Sequence, residues 1–315
     1  MTTVQQYVFF DFEMLCSNRG MPFEDMEGIR LGAVKYNIET EEIAYFDRYI
    51  RPTNLRPLSS FCKKLTGIHD QDLVGADGFR TVFDDFLMWV GGIKRSRFFS
   101  WSPSDIFRLK LDAERHEISP RTIKKIDQRY VDFQAIFTKR VTKENVSVER
   151  ALGFYGLSFH GQQHNPMHDA YNTLRVYLSF VNDPVKSDFI MLNQFIFNDV
   201  EFISTNIKGL NKKLREKLIS DVHSFIMDLR DIYKIKDATK VTKRARRLAE
   251  KYENILINRS SMFDQNLMAD IRLLVDFSHE LQLSYEEHTN HASKIMILPE
   301  SIVLPMNELS LKRGC

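Results

Sequence analysis

The sequence predicts an α/β domain over residues 1–182 followed by a separate helical, all-α domain over residues 183–315. Three observations carry this reading. Strand-like and helix-like apolar patterns alternate through the first 180 residues. Two apolar segments, Ile29 to Asn37 and Ile43 to Ile50, are joined by the polar Glu39-Thr40-Glu41-Glu42 and form an antiparallel hairpin. After Asn182-Asp183-Pro184 the pattern changes to long helical stretches with few turn signals, through to about Leu283, and the tail from Pro299 onward reads as irregular.

The elements follow in order. Tyr7 to Glu13 is an apolar strand interrupted only by its acids. After the hairpin, Leu58 to Leu65 reads as a short helix closed by Gly67, and Val82, Phe83, Phe86, Leu87 and Val90 trace one helical face that ends at Gly91-Gly92. Arg97 to Trp101 is a further strand. Ser104 is placed to cap a helix carrying Ile106, Leu109 and Leu111, and Tyr130 to Phe133 is a short strand before another helix. Asn165-Pro166 starts a helix, because proline at the first helical position loses no hydrogen bond, and Ala170, Leu174 and Leu178 are its expected buried stripe.

Composition sets outer limits. At 43% hydrophobic and 12% aromatic residues the chain can build two cores. No apolar run reaches the eighteen or so residues that span a bilayer, and no signal-peptide pattern opens the chain, which predicts a soluble, cytoplasmic protein. Cys16, Cys62 and Cys315 have neither paired nor metal-ligand spacing, so reduced thiols are expected and zinc is not. The net charge of +2 neither requires nor excludes nucleic acid, so any binding groove must be local. Lys236, Lys240, Lys243, Arg244, Arg246 and Arg247 form a basic cluster, either a solvated helix face or a track for a phosphate backbone.

Asp11 and Glu13 are the first chemical signal. Side chains alternate along a strand, so both acids share one face while Phe10 and Phe12 take the other. Two carboxylates that close raise each other's pKa unless a cation stands between them, and all-oxygen ligation suits magnesium or manganese. An exposed edge strand is the plain alternative for a D-x-E taken alone. Asp105, at the start of a helix after Phe98 to Trp101, and His164 with Asp169, around another helix start, are ordinary individually; their order along the chain is informative.

From Tyr7 to Phe180 the sequence resembles the DEDDh exonucleases, the DnaQ-like branch of the ribonuclease H-like superfamily. Within that branch it is most similar to the enhancer-of-RNAi type exoribonucleases and the KapD-like proteins. Arg51-Pro52 followed by Leu58-Ser59-Ser60-Phe61-Cys62-Lys63-Lys64-Leu65-Thr66-Gly67-Ile68 matches their R-P…L-S-x-F-C-x-x-L-T-G-I segment. By motif match, Asp11 and Glu13 correspond to the first exonuclease motif, Asp105 to the second, and His164 with Asp169 to the third. The resemblance implies a mixed β-sheet flanked by helices and 3′-to-5′ hydrolysis of nucleic acid to nucleoside 5′-monophosphates. It also implies two magnesium or manganese ions held by Asp11, Glu13, Asp105 and Asp169, with Asp11 bridging and His164 as general base. RNA is the expected substrate ahead of DNA. Phe12, Met14, Leu15, Leu65 and Trp101 are the candidates to hold or stack on the terminal nucleotides, Phe12 and Trp101 also reading as core.

The chain departs from the family pattern in three places. Ser102-Pro103 follows Trp101 where the second motif usually has glycine; Pro166 and His168 replace a glycine and an acid of the third motif; Met14 and Leu15 stand where many relatives carry threonines. All five principal side chains are present, so an active enzyme is expected. Two other readings stay open: a DNA exonuclease of repair or defence, and a regulatory protein on the exonuclease fold whose helical domain binds a protein partner.

Overall fold

In the computed structural model, residues 3–197 and 207–312 are described, so Cys315 lies outside them. The chain divides into two compact units, residues 1–139 with 144–182, and residues 140–143 with 183–315.

The first unit is built on a five-stranded mixed sheet. Its strands are β1 (Gln6–Met14), β2 (Gly28–Asn37), β3 (Ile43–Tyr49), β4 (Ser96–Ser100) and β5 (Tyr130–Asp132), in the spatial order β3-β2-β1-β4-β5. The first three pair antiparallel, and β4 and β5 continue the sheet parallel to β1. Strand β1 is therefore central, and its pleat decides what each face does. Val8, Phe10 and Phe12 go into a core with Phe83, Phe86 and Leu109, supplied by α3 (Phe79–Val90) and α4 (Pro103–Arg115). Phe9, on the other face, stacks on Phe99 at 4.7 Å and meets Tyr177 at 5.5 Å, the latter from α8 (Pro166–Asn182).

Shorter helices complete the unit: α1 (Ser60–Thr66), α2 (Asp70–Val74), α5 (Pro120–Asp127), α6 (Phe133–Phe137) and α7 (Val148–Phe154). Helix α1 explains the most specific sequence string residue by residue. Ser59 Oγ caps it by accepting the Cys62 N–H at 3.0 Å while donating to the Cys16 carbonyl at 2.7 Å. Cys62 Sγ bonds the Met14 carbonyl at 3.6 Å, and Gly67 ends the helix at φ 70°. The string ties α1 to the chain just beyond Glu13. Cys62 also hydrogen-bonds Cys16, whose thiol is pushed up to about 12, first by burial and then by that bond.

Two expectations in this unit need correction. Helix α4 is capped by Ser102, whose Oγ accepts the Ser104 N–H at 3.3 Å, and not by Ser104, because Pro103 occupies the first helical position. Leu178 is only half-buried; the covered side of α8 is Ala170, Thr173, Leu174 and Val176.

The second unit contains α9 (Pro184–Leu192), α10 (Ile207–Ile226), α11 (Ile235–Tyr252), α12 (Gln265–Asn290) and α13 (Glu300–Leu311) around a core that includes Leu214, Leu218, Tyr252, Ile271 and Leu274. It is not purely helical: β6 (Ile232–Lys234) and β7 (Ile295–Ile297) form a two-stranded antiparallel pair. The tail from Pro299 is also ordered, as α13. Burial of Met306 and Leu309 in the core outweighs the helix-breaking Pro305. No helix among the described residues is long and apolar enough to cross a membrane.

Candidate active site

Asp11 and Glu13 lie on the β1 face covered by α8, and Asp169 lies in the first turn of that helix. Gly32 brings the two elements together. It is the register partner of Asp11 across β1 and β2, and a Cβ there would stand 2.0 Å from the Met167 nitrogen and 2.2 Å from the Pro166 carbonyl carbon. The start of α8 therefore rests on a side-chain-free spot directly opposite Asp11. As a result, one carboxylate oxygen from each of Asp11, Glu13 and Asp169 lies within 4.8 Å of the others.

Asp105 is outside that trio. It is buried at the start of α4, accepting the Phe12 N–H at 3.1 Å and a hydrogen bond from Ser100. Its backbone anchorage to β1 holds it beside the other acids, which feel its charge.

The electrostatics are those of crowded acids. Glu13 is pushed up to about 8, first by burial and then by Asp169 and Asp105, against the lowering pull of Arg30. Asp105 and Asp169 are each raised to about 7, chiefly by burial. Asp11 is raised well above the carboxylate range by burial, then by Asp105, Asp169 and Glu13. Four neighbouring acids forced toward neutrality, three of them clustered, are what a divalent cation relieves, and the all-oxygen donor set fits magnesium or manganese.

His164 sits before α8, exposed, with a left-handed backbone at φ 60°. Its N–H bonds the Asp169 carboxylate. Three side chains at one face of α8 strap the preceding segment in place. His168 Nδ1 accepts the Gln162 N–H at 3.0 Å, Asn172 bonds both backbone groups of His160, and Arg175 donates to the Ser158 carbonyl at 2.8 Å. Gly161, at φ 87°, leaves room for the His168 ring, which a Cβ would meet at 2.6 Å. The His168 that departs from the family pattern thus serves as a backbone acceptor.

This geometry has its counterpart in known proteins: the family model for exonucleases, RNase_T, matches residues 8–177, more than half of the chain. The chain belongs to the RNase_T exonuclease family. It is 28% identical over 195 residues to the 3′-5′ exonuclease Snipper of Drosophila melanogaster, covering 55% of this chain and 68% of that protein. It is 23% identical over 198 residues to ERI1 exoribonuclease 2 of Homo sapiens, covering 56% of this chain but only 28% of the relative. Among solved structures, the nuclease domain of 3′hExo, a DEDDh family member bound to rAMP, superposes with a TM-score of 0.52 at 22% identity over 57% of this chain and 93% of that one. This RNase_T chain therefore has the DEDDh exonuclease fold, and divalent metal use goes with that family.

The structure also sorts the residues expected to touch substrate. Phe12, Leu15 and Trp101 are core residues. Phe12 points to the face away from the acids, Leu15 packs with Ile29, Leu58 and Ile68, and the Trp101 indole donates to the Val146 carbonyl at 2.9 Å between Phe133 and Phe137. Met14 is half-buried, and Leu65 is exposed on α1. The sequence reading missed Gly32, whose signal is a glycine inside an otherwise apolar strand, and it missed Asn172.

Proposed function

We propose that the chain is a divalent-metal-dependent 3′-to-5′ exonuclease that removes nucleoside 5′-monophosphates from single-stranded 3′ ends, RNA in preference to DNA. The carrying observation is the convergence of Asp11, Glu13 and Asp169 within 4.8 Å, with their acids raised toward neutrality, in an RNase_T frame. The choice of RNA is supported by relatives named as exoribonucleases.

In this reading Asp11, Glu13, Asp105 and Asp169 would hold two magnesium or manganese ions, which would supply positive charge to offset the charge building on the phosphate and on the departing 3′ oxygen. The chain's own contribution is position and proton transfer. Water attacks the last phosphodiester in line; a new P–O bond forms as the P–O3′ bond breaks. His164 accepts the water's proton, its exposed loop leaving the imidazole open to substrate. The 3′ oxygen is reprotonated from solvent. Leu65 and Met14 are the apolar groups left to contact the terminal bases.

The test is incubation of 5′-labelled single-stranded RNA and matched DNA with magnesium, manganese or chelator, beside Asp11→Ala and His164→Ala. A metal-dependent ladder shortening from the 3′ end is expected, absent in Asp11→Ala and slow with binding retained in His164→Ala. No cleavage with any metal would make the chain a binding protein on an exonuclease fold.

A further inference from the structure

Helix α11 concentrates positive charge in a region whose basic and acidic residues nearly cancel as a whole. Its eighteen residues carry seven basic side chains and two acidic ones, whereas the sequence from Val181 to the end holds 20 basic and 19 acidic residues in all. Its buried face is Ala238, Val241, Thr242, Ala245, Ala249 and Tyr252. Lys236, Lys240, Lys243 and Arg247 recur at i, i+4, i+7 and i+11 and lie opposite that face, all exposed. They form one line along about 16 Å of helix axis.

Ion pairing separates this line from an ordinary solvated face. The basic residues beside it are tied to acids: Arg244 to Asp228 at 2.6 Å, Arg246 to Glu250 at 3.3 Å, and Lys251 to Asp221 at 2.5 Å. On the line itself, only Lys240 has an acid near it, Asp237 at 3.6 Å. Lys236, Lys243 and Arg247 have no ion pair among the described residues. No apolar side chain interrupts the line, so it offers neither the hydrophobic anchor of a protein interface nor a wedge for a lipid surface. A row of exposed cations at helical spacing, three of the four without an ion pair among the described residues, is suited to a phosphodiester backbone.

We propose that this face of α11 is a second, sequence-independent binding site for a nucleic-acid strand. The proposal deepens the nuclease reading and rests on it for the identity of the polyanion.

Binding of 5′-labelled 30-nucleotide RNA and DNA is measured in chelator across a salt series. The proteins are wild type, a variant with Lys236→Gln, Lys240→Gln, Lys243→Gln and Arg247→Gln, and a charge-keeping variant with Lys236→Arg, Lys240→Arg, Lys243→Arg and Arg247→Lys. The glutamine variant is expected to bind at least tenfold more weakly near 0.15 M salt. Its slope of log affinity against log salt should shrink by about 3 for single strands, at about 0.7 per phosphate, while the charge-keeping variant matches wild type. The faster-losing strand type, RNA or DNA, identifies the natural polyanion. Wild-type affinity and slope in the glutamine variant would overturn the proposal, as would equal loss in the charge-keeping one. A parallel assay on the p-nitrophenyl ester of a nucleoside 5′-monophosphate reports the catalytic centre alone and is expected to be unchanged in both variants. Failure of wild type in that assay counts against the nuclease reading, whereas the chelator series judges α11 independently.

Discussion

The side-chain amide of Asn172 takes both backbone groups of His160, accepting its N–H at 3.0 Å and donating to its carbonyl at 2.9 Å. A buried asparagine thus stands in for a neighbouring strand, and the segment it holds leads to His164. Replacing it with alanine returns those groups to water at a cost of about 1–2 kcal/mol and frees the loop. We expect Asn172→Ala to lower kcat about tenfold or more with KM little changed. Asn172→Asp should rescue nothing, because its second oxygen would face the His160 and His168 carbonyls. Steady-state kinetics beside thermal melts separates this outcome from simple unfolding.

Gly32 admits no side chain. In Gly32→Ala the added carbon would overlap the backbone of Pro166 and Met167, displacing the start of α8 and Asp169 with it. We expect a stability loss of about 3 kcal/mol or more and loss of the metal-dependent reaction; denaturant melts and hydrolysis assays check the two effects.

Removing an acid should have opposite effects on stability and on chemistry. Asp169→Asn deletes one of the charges crowding Glu13 and Asp11. The variant is expected to melt higher than wild type in chelator, to gain little from magnesium, and to lose hydrolysis. Calorimetric melts with and without metal test this, and an unchanged melting temperature in chelator would refute the crowding argument.

The raised acids also set a pH dependence. In the unfolded chain these carboxyls ionise near 4; folded, Asp105 and Asp169 ionise near 7 and Glu13 near 8. Protonation therefore favours the folded state, so without metal the stability present below about pH 4 is lost progressively as pH rises toward 8. Cations bind the ionised form, so magnesium affinity should rise across pH 6 to 8. Isothermal titration calorimetry at several pH values, with melts in chelator, checks both slopes.

Much of this was legible in the residues. Asp11, Glu13 and Asp169, which the structure brings together, could be singled out by their order along the chain, and the hairpin because its alternation and polar turn are local. What escaped was decided by partners distant in sequence. Gly32 matters only because Pro166 lands on it, and β6 and β7 are each three residues long, too short to show a period. Leu15 is core because Ile29, Leu58 and Ile68 close around it, and Ser102 displaced Ser104 as a cap because proline starts the helix two residues earlier.

Asp169 follows Asp11 by 158 residues and sits on the last helix of the sheet-bearing unit. During synthesis, the first three acids emerge long before the surface that completes their cluster. A chain cut short before α8 should therefore lack metal-dependent hydrolysis, because nothing yet rests on Gly32 to bring Asp169 to Asp11 and Glu13. The cluster is complete only once the last helix of the sheet-bearing unit is in place.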